Sequence, residues 1–463
     1  MTTPTTDDEW VAALAKLHDR ELPELKKLDS YYEGTQPISY MQPEIMREVA
    51  DRIRPVIIAW PQLVVDAVEE RLDVEGFRLP DQDAVDDDFW RVWQANNLDE
   101  EGQLGRVDAL VMKRSYLAVG TNEDDESTPL VTVESPLEMY AAIDPRTRRV
   151  RAALRRTQET DAFGRVTERY ATLYLPERTV WYEWSGRVWK ETDRDEHHLG
   201  EVPVVPLTNR ARLADRYGRS ELSRSMLALS DSANKIATDM MLAAEFVALP
   251  LRGLLGIGPD DLVDEQGNTL SATQVIMGKL LTVPPGEPGI EVKPFQWEPA
   301  SLSNFHDSLN QLAQLVASIS GLPPDYMGLT TDNPPSAEAR LAGEVRLVKR
   351  AERKQTAFGG AYEQTMRLVR RFQTGGEPID PKLLRLETVW RDPATPTRAQ
   401  SADAVVKLLE RGAITKRQAR EDLRYTKTQI ERMEREDIEA EALDPVGALT
   451  RGLGRGGDGL EVV

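Results

Sequence analysis

Residues 220–250 read SELSRSMLALSDSANKIATDMMLAAEFVALP, and residues 301–320 read SLSNFHDSLNQLAQLVASIS. In the first stretch Leu222, Met226, Leu229, Ala233, Ile236, Met240 and Ala244 recur at spacings of three and four, the period of one helical face. In the second, Leu302, Phe305, Leu309, Leu312, Val316 and Ile319 keep the same spacing. The spacing predicts a helix over Ser220–Leu249, ended by Pro250, and a second over Ser301–Ser320, ended by Gly321 and Pro323-Pro324. A helix of that first length spans about 45 Å, long for a globular protein. Between the two, Leu251–Trp297 carries twelve glycines and prolines. Short β-type runs interrupt it at Gln274–Met277 and Leu280–Val283. Two long helices joined by a small β-containing insertion predict an antiparallel hairpin.

Outward from this pair, the N-terminal side divides in two. Thr6–Leu28 predicts an amphipathic helix with a Thr6/Glu9 capping box and an apolar stripe of Trp10, Leu14, Leu17 and Leu25. Further helices are expected near Pro55–Leu72, over Asp86–Ala95 and over Glu100–Lys113, the last two broken at Asn96-Asn97. After Tyr116 the texture becomes β: Pro129–Val133, Met139–Ile143, Arg149–Thr157, Val166–Leu175, Thr179–Trp184 and Val188–Glu191 alternate with turn signals, as in an antiparallel sheet of hairpins. On the C-terminal side the loop Leu322–Pro335 leads to a helix over Ser336–Phe372, with a kink expected at Gly359-Gly360. Helices over Thr397–Arg411, Thr415–Leu423 and Thr426–Leu443 follow, then a Gly-rich tail, Asp444–Val463, expected to be disordered. The fold class is α+β, mainly helical, with an antiparallel β region.

The chemistry of enzymes is hard to find here. The 463 residues contain no cysteine, which excludes disulfides, thiolate metal sites and cysteine nucleophiles. The histidines are His18, His197, His198 and His306, without metal-ligand spacing. The acidic runs Asp86–Asp88 and Glu123–Glu126 fit solvated faces better than a divalent-ion site. Gly278-Lys279 is followed by Leu280 where a P-loop needs Ser or Thr. Gly452, Gly454 and Gly457 match a dinucleotide fingerprint by letter only, with no strand before them. No cofactor, no metal and no enzymatic activity are expected. The first twenty residues are polar and acidic, unlike a signal peptide, and no apolar stretch reaches the ~18–20 residues of a membrane span, so a soluble cytoplasmic protein is expected.

Charge is distributed unevenly. The formal net charge is −20, which disfavours gripping nucleic acid unless the charges segregate. From Pro294 to Ala339 there is no lysine or arginine, whereas the chain's overall frequency would place about six there. The same stretch contains Glu298, Asp307, Asp325, Asp332 and Glu338. The next segment, Arg340–Phe372, holds nine basic residues against Glu344, Glu352 and Glu363. A cation-free helix fits either a buried interface or the wall of a channel that phosphates pass without pairing. The basic helix would then pair with acidic surface on a neighbouring subunit.

The order of five short motifs resembles the portal proteins of long-tailed bacteriophages, in particular those of actinobacterial phages. The motifs are Tyr31-Tyr32-Glu33-Gly34 with Pro37-Ile38, Asn96-Asn97-Leu98-Asp99, Gly218-Arg219-Ser220-Glu221-Leu222, Gly321-Leu322-Pro323-Pro324-Asp325-Tyr326, and Asn333-Pro334-Pro335-Ser336-Ala337-Glu338-Ala339. The resemblance covers about Glu9–Leu443. It implies a ring of twelve subunits at one capsid vertex, a channel for packaging and ejecting double-stranded DNA. It also implies a wing (1–219), a first stem helix (220–250), a clip (251–298) and a second stem helix (299–321). A tunnel loop (322–335), a long wing helix and return (336–394), crown helices (395–443) and a free tail (444–463) complete the chain. Channel residues would then be Asp307, Asp325, Tyr326, Asp332 and Asn333, and subunit-interface candidates Arg346, Lys349, Arg350 and Arg353. Implied partners are the terminase large subunit, a head-completion adaptor, the major capsid and scaffold proteins, and passing DNA without sequence specificity. The implied location is the virion, after assembly in the host cytoplasm. The main alternative is a helical structural or scaffold protein of a virion without a DNA channel.

Overall fold

The computed structural model describes residues 4–37, 56–80, 82, 85–247, 252–255, 280–283, 293–296, 302–329, 336–394, 398–423, 425 and 427–443. They fall into two compact units, Met1–Pro393 and Ala394–Val463.

The larger unit starts with α1 (Asp7–Tyr32), whose first turn is held by the expected capping box: the Glu9 amide donates to Thr6 Oγ1 and the Thr6 amide donates back to Glu9 Oε2, both at 3.3 Å. Its buried face is Val11, Leu14, His18, Leu25, Leu28 and Tyr31. The expected Trp10 and Leu17 are only partly buried, because the helix divides its face between two cores. Next come α2 (Trp60–Glu69), β1 (Val74–Arg78), α3 (Asp87–Ala95) and α4 (Leu98–Met112). The break between α3 and α4 falls where predicted: Asn97 takes φ +53°, a left-handed conformation that asparagine tolerates better than most residues.

The β region is richer than the periodicity predicted. Strands β2 (Arg114–Gly120), β3 (Leu130–Glu134) and β9 (Val204–Thr208) form one antiparallel sheet in the order β3-β2-β9. Strands β4 (Met139–Ile143), β5 (Val150–Thr160), β6 (Val166–Tyr174), β7 (Thr179–Trp184) and β8 (Trp189–Asp195) form the expected meander in chain order. Strands β2 and β9 escape the sequence reading because β2 is buried on both faces and so shows no alternation. One core packs the N-terminal half of α1 on the meander through Leu14, Leu154, Leu173 and Val180. A small second core, including Tyr116, Ala153 and Val204, lies between the two sheets. Arg114 is buried with its guanidinium on Glu21 of α1, and it lies over the rings of Tyr116, Tyr140 and Tyr217 at 5.7, 5.7 and 5.0 Å.

The two long helices follow. Helix α5 (Arg224–Val247) packs on α6 (Ser303–Ser320). Between them β10 (Arg252–Leu255) pairs parallel with β11 (Leu280–Val283) and antiparallel with β12 (Lys293–Gln296). The predicted run Gln274–Met277 and the tail Asp444–Val463 lie outside the described residues. The predicted stripes are buried in part, through Met226, Ala233 and Val316 with Leu229, Leu309 and Leu312 packed against the core, but the contact faces also include residues outside them. On α6 the buried residues are Ala313, Val316, Ala317 and Ser320, while Ile319 is 45% exposed. On α5 they include Ser230, Ala233, Asn234, Ala237 and Thr238. Asn234 and Thr238 are buried because they serve the chain at 56–58: the Ile58 amide donates to Asn234 Oδ1 at 2.8 Å and the Val56 amide to Thr238 Oγ1 at 3.1 Å.

Helix α7 (Ala337–Gln373) is helical throughout, Gly359-Gly360 included. Gly359 serves close approach. A Cβ on Gly359 would lie 3.0 Å from Trp390 Nε1, on β13 (Glu387–Trp390), and Thr388 Oγ1 donates to the Gly359 carbonyl at 3.1 Å. Strand β13 pairs with β1, so a late segment of the chain closes on an early one. The largest core gathers α2, α3, α4, the start of α5, α6 and α7 around Trp93, Phe77, Phe358 and Tyr362. The smaller unit contains α8 (Arg398–Glu410), α9 (Lys416–Asp422) and α10 (Lys427–Leu443), with Gly412 left-handed after α8 and Thr415 capping α9.

Two carboxyls carry opposite pH signatures. Burial beside Asp29 pushes the Asp108 carboxyl of α4 up to about 6. Its stability penalty therefore grows as pH rises from about 4 to about 6 and then stays constant. Asp108→Asn should raise stability by about 1–3 kcal/mol at pH 7 and leave it unchanged near pH 4, measured by denaturant melts. Burial also acts to raise Glu221, but Lys354, Arg350 and Arg210 outweigh it and hold the carboxyl at about 2. Its contribution is complete above the unfolded value of 4.5 and is lost as pH falls toward 2. Glu221→Gln should cost about 3–5 kcal/mol at pH 7, with the deficit shrinking below about pH 4. Equal deficits at pH 3 and pH 7 would contradict this account.

Candidate functional site

Helix α6 and the turn after it are the first candidate surface. The exposed side of α6 presents Ser303, Asn304, His306, Asn310, Gln311, Gln314 and Ser318, the apolar Leu315 and Ile319, and Asp307 as its one carboxylate. It is an amide-rich surface with one carboxylate and no lysine or arginine. Gly321 ends the helix at φ +71°, a left-handed conformation that favours glycine, with the Arg346 side chain packed close by. The turn continues as a 3₁₀ segment, Pro324–Met327, with Asp325 exposed. Asp332 and Asn333 lie outside the described residues.

Tyr326 does something the sequence did not reveal. Its hydroxyl accepts from Arg71 Nη2 at 3.0 Å and donates to Glu344 of α7 at 3.3 Å. Arg71 also reaches Glu344 at 3.2 Å and the Pro393 carbonyl at 2.7 Å. The ring packs against the largest core. Tyr326 therefore ties the start of the loop to α7 and to the end of α2, while its neighbour Asp325 stays free to face outward.

The second surface is a cleft of about 1410 Å³. All four basic candidates line it, because positions 346, 349, 350 and 353 share one face of α7. They are not equivalent. Arg346 Nη1 donates to the Ser318 carbonyl at 2.8 Å and so caps the C-terminus of α6. Lys349 pairs with Glu352 at 2.5 Å. Arg350 is committed within the chain to Glu221. Arg353 is exposed and forms no ion pair among the described residues. The structure adds Lys27, Lys113, Arg210, Arg212, Arg219 and Arg224 to the same lining. Five arginines between Arg210 and Arg224 were a visible local excess, but nothing in their spacing connected them to α7.

The floor of the cleft is Glu221, whose side chain is 1% exposed. Lys354 Nζ reaches it at 2.5 Å, and Asn209 Nδ2 donates to it at 3.3 Å. The chain reaches Glu221 through Gly218, at φ +84°, where a Cβ would lie 2.6 Å from the carbonyl oxygens of both Asn209 and Lys113. Only glycine fits there.

The remaining sequence candidates have local roles. Asp86 caps α3, its side chain accepting from the Asp88 and Phe89 amides at 3.1 Å, and Asp88 pairs with Arg91 and Arg370. His18 bonds the Pro136 carbonyl at 2.9 Å and meets Arg156 at 2.8 Å. Among the described residues no helix is long and apolar enough to cross a membrane.

Residues 12–442 match the family described as phage portal protein, SPP1 Gp6-like. The chain is 41% identical over 450 residues to the portal protein of Mycobacterium phage D29, covering 94% of this chain and 89% of that protein. It is also 41% identical over 425 residues to the portal protein of Mycobacterium phage L5, covering 89% and 85%. Among solved structures it is similar to a chain in the neck of a native gene transfer agent particle computed with C12 symmetry, with 14% identity, a TM-score of 0.41, and 87% and 94% of the two chains covered. The sequence match spans nearly the whole chain at high identity, and the chain therefore belongs to the SPP1 Gp6-like family of phage portal proteins, which are structural components of the virion rather than enzymes.

Proposed function

We propose that this protein forms a closed ring, of twelve subunits, at one capsid vertex, and that double-stranded DNA enters and leaves through its centre. In this reading α5 and α6 are the stem, the β10–β12 sheet belongs to the clip, and the segment after Gly321 is the tunnel loop. The wing comprises the N-terminal helices and sheets with α7, and α8–α10 form the crown. The ring docks the terminase large subunit during packaging and the head-completion adaptor afterwards, and sits among the major capsid and scaffold proteins. Assembly takes place in the host cytoplasm.

The observation that carries the channel is the exposed face of α6, mostly neutral polar side chains with one carboxylate and neither lysine nor arginine. A lysine there would meet a phosphate at each step of the duplex and hold it, releasing counterions as it did so. Amides and hydroxyls keep the wall hydrated, and Asp307 and Asp325 repel the backbone weakly through the screened solvent. Asp332 and Asn333 extend the same chemistry along the loop.

Electron micrographs of the purified protein should show rings with an axial opening. Asp307→Lys and Asp325→Lys, each placed on an exposed position, should leave ring formation intact and reduce packaged DNA several-fold in an in vitro packaging reaction. Normal packaging by both variants would remove these residues from the channel, and a protein that stays monomeric at all concentrations would remove the ring.

A further inference from the structure

The basic cleft is anomalous in a chain of net charge −20. Among the described residues lining it, eleven are lysine or arginine and three are carboxylates. The carboxylates are already taken: Glu24 by Lys113, Asp215 by Arg219, and Glu221 by Lys354, Arg350 and Arg210. Arg212, Arg224 and Arg353 are exposed and have no ion pair among the described residues. One guanidinium nitrogen of Arg350, Nη1, is buried without an acceptor. The cleft holds more positive charge than its own chain neutralises.

The complementary feature lies elsewhere in the same unit. The loop between β2 and β3 contains Glu123, Asp124, Asp125 and Glu126, all exposed. Asp125 is held within the loop: it accepts from Ser127 Oγ at 2.6 Å and from Thr128 Oγ1 at 2.5 Å. The loop is further fixed by Arg91, which donates to the Ser127 carbonyl at 3.0 Å, and by Gln373 of α7, which donates to the same oxygen at 2.7 Å. Glu123, Asp124 and Glu126 have no ion pair among the described residues. The loop is a pre-shaped anionic projection whose ordering cost is met before any contact is made.

Two internal rulers separate loop and cleft. Lys113, in the cleft, immediately precedes β2, and the acidic loop follows that strand's other end, about 20 Å away at ~3.4 Å per residue. Arg353 lines the cleft and Gln373 touches the loop, and the twenty helical residues between them span about 30 Å. The loop cannot enter the cleft of its own chain. Two complementary patches at different places on one subunit make a heterologous contact, which repeats around a ring when its rotation closes.

We propose that the Glu123–Glu126 loop of one copy seats in the basic cleft of the next, and that this contact sets the head-to-tail direction of the ring. The proposal deepens the ring reading above and rests on it.

The test uses full-length protein with reversals only at exposed positions: Lys349→Glu with Arg353→Glu in the cleft, Glu123→Lys with Glu126→Lys in the loop, and all four together. Sedimentation velocity and micrographs measure ring yield, and circular dichroism melts check that each variant folds. Each pair of reversals should lower ring yield about tenfold or more, and the fourfold variant should recover most of it, since opposite charges again face each other. Rings at wild-type yield from the loop variant, or no recovery in a folded fourfold variant, would overturn the pairing. Normal rings from the cleft variant with weakened binding to a short DNA duplex would assign the cleft to nucleic acid and also overturn it. Absence of rings from the unmodified protein would instead sink the ring reading itself.

Discussion

A single carboxylate, Glu221, stands almost without solvent exposure between three cations, and much of the larger unit is arranged around that fact. A buried charge costs several kcal/mol unless every partner is in place. Meeting that demand fixes the junction where β9 ends, α5 begins and α7 passes. Lys354 and Arg350 come from α7, Asn209 from the end of β9, and the Glu221 amide donates to the Leu110 carbonyl of α4 at 2.8 Å. Gly218 makes the approach possible, because no other residue could pass between the Asn209 and Lys113 carbonyls. The ion pair is thus a registry device: its net energy is modest, but its loss leaves α5 without a defined starting point on α7.

Three of the other motifs behind the family likeness also turn out to be junctions. Tyr31 and Tyr32 end α1 by donating to Asp231 of α5 and Asp66 of α2, at 2.9–3.0 Å. Asn96 donates to the Pro129 carbonyl and accepts from the Val131 amide, stitching α3 to β3, while Asp99 accepts from the buried Trp93 indole. Gly321 and Tyr326 fix the two ends of the turn after α6. Each motif sets the angle at which one element leaves another. A long helix turns a small error of angle into a large displacement at its far end, so an assembly that repeats such helices depends on these corners.

The electrostatic pattern follows from the same division of labour. Cations are concentrated along one face of α7 and in the Arg210–Arg224 segment, where the buried carboxylate requires some of them. They are absent from the exposed face of α6, which Arg346 nevertheless touches from outside by capping its C-terminus. The helix end is thereby neutralised without placing a positive side chain along the helix itself.

Much of this was legible in the sequence. The three-four spacing located α1, α5 and α6 to within a few residues, Gly321 and Pro323-Pro324 marked a helix end, and the turn signals gave the meander. Those are local properties, set by side-chain periodicity and backbone conformation within a few residues. The cation-free stretch was equally visible, since it is a count along the chain. Tertiary structure decided what distance along the chain conceals. Strand β2 showed no alternation because both of its faces are buried, and β1 found its partner β13 more than three hundred residues later. Gly359 became a seat for Trp390 and Thr388, and Tyr326 became an anchor. Six cations from three separate segments joined the α7 face in one cleft. Spacing along a chain specifies which residues share a face of one element, but which faces meet is fixed only when packing brings distant segments together.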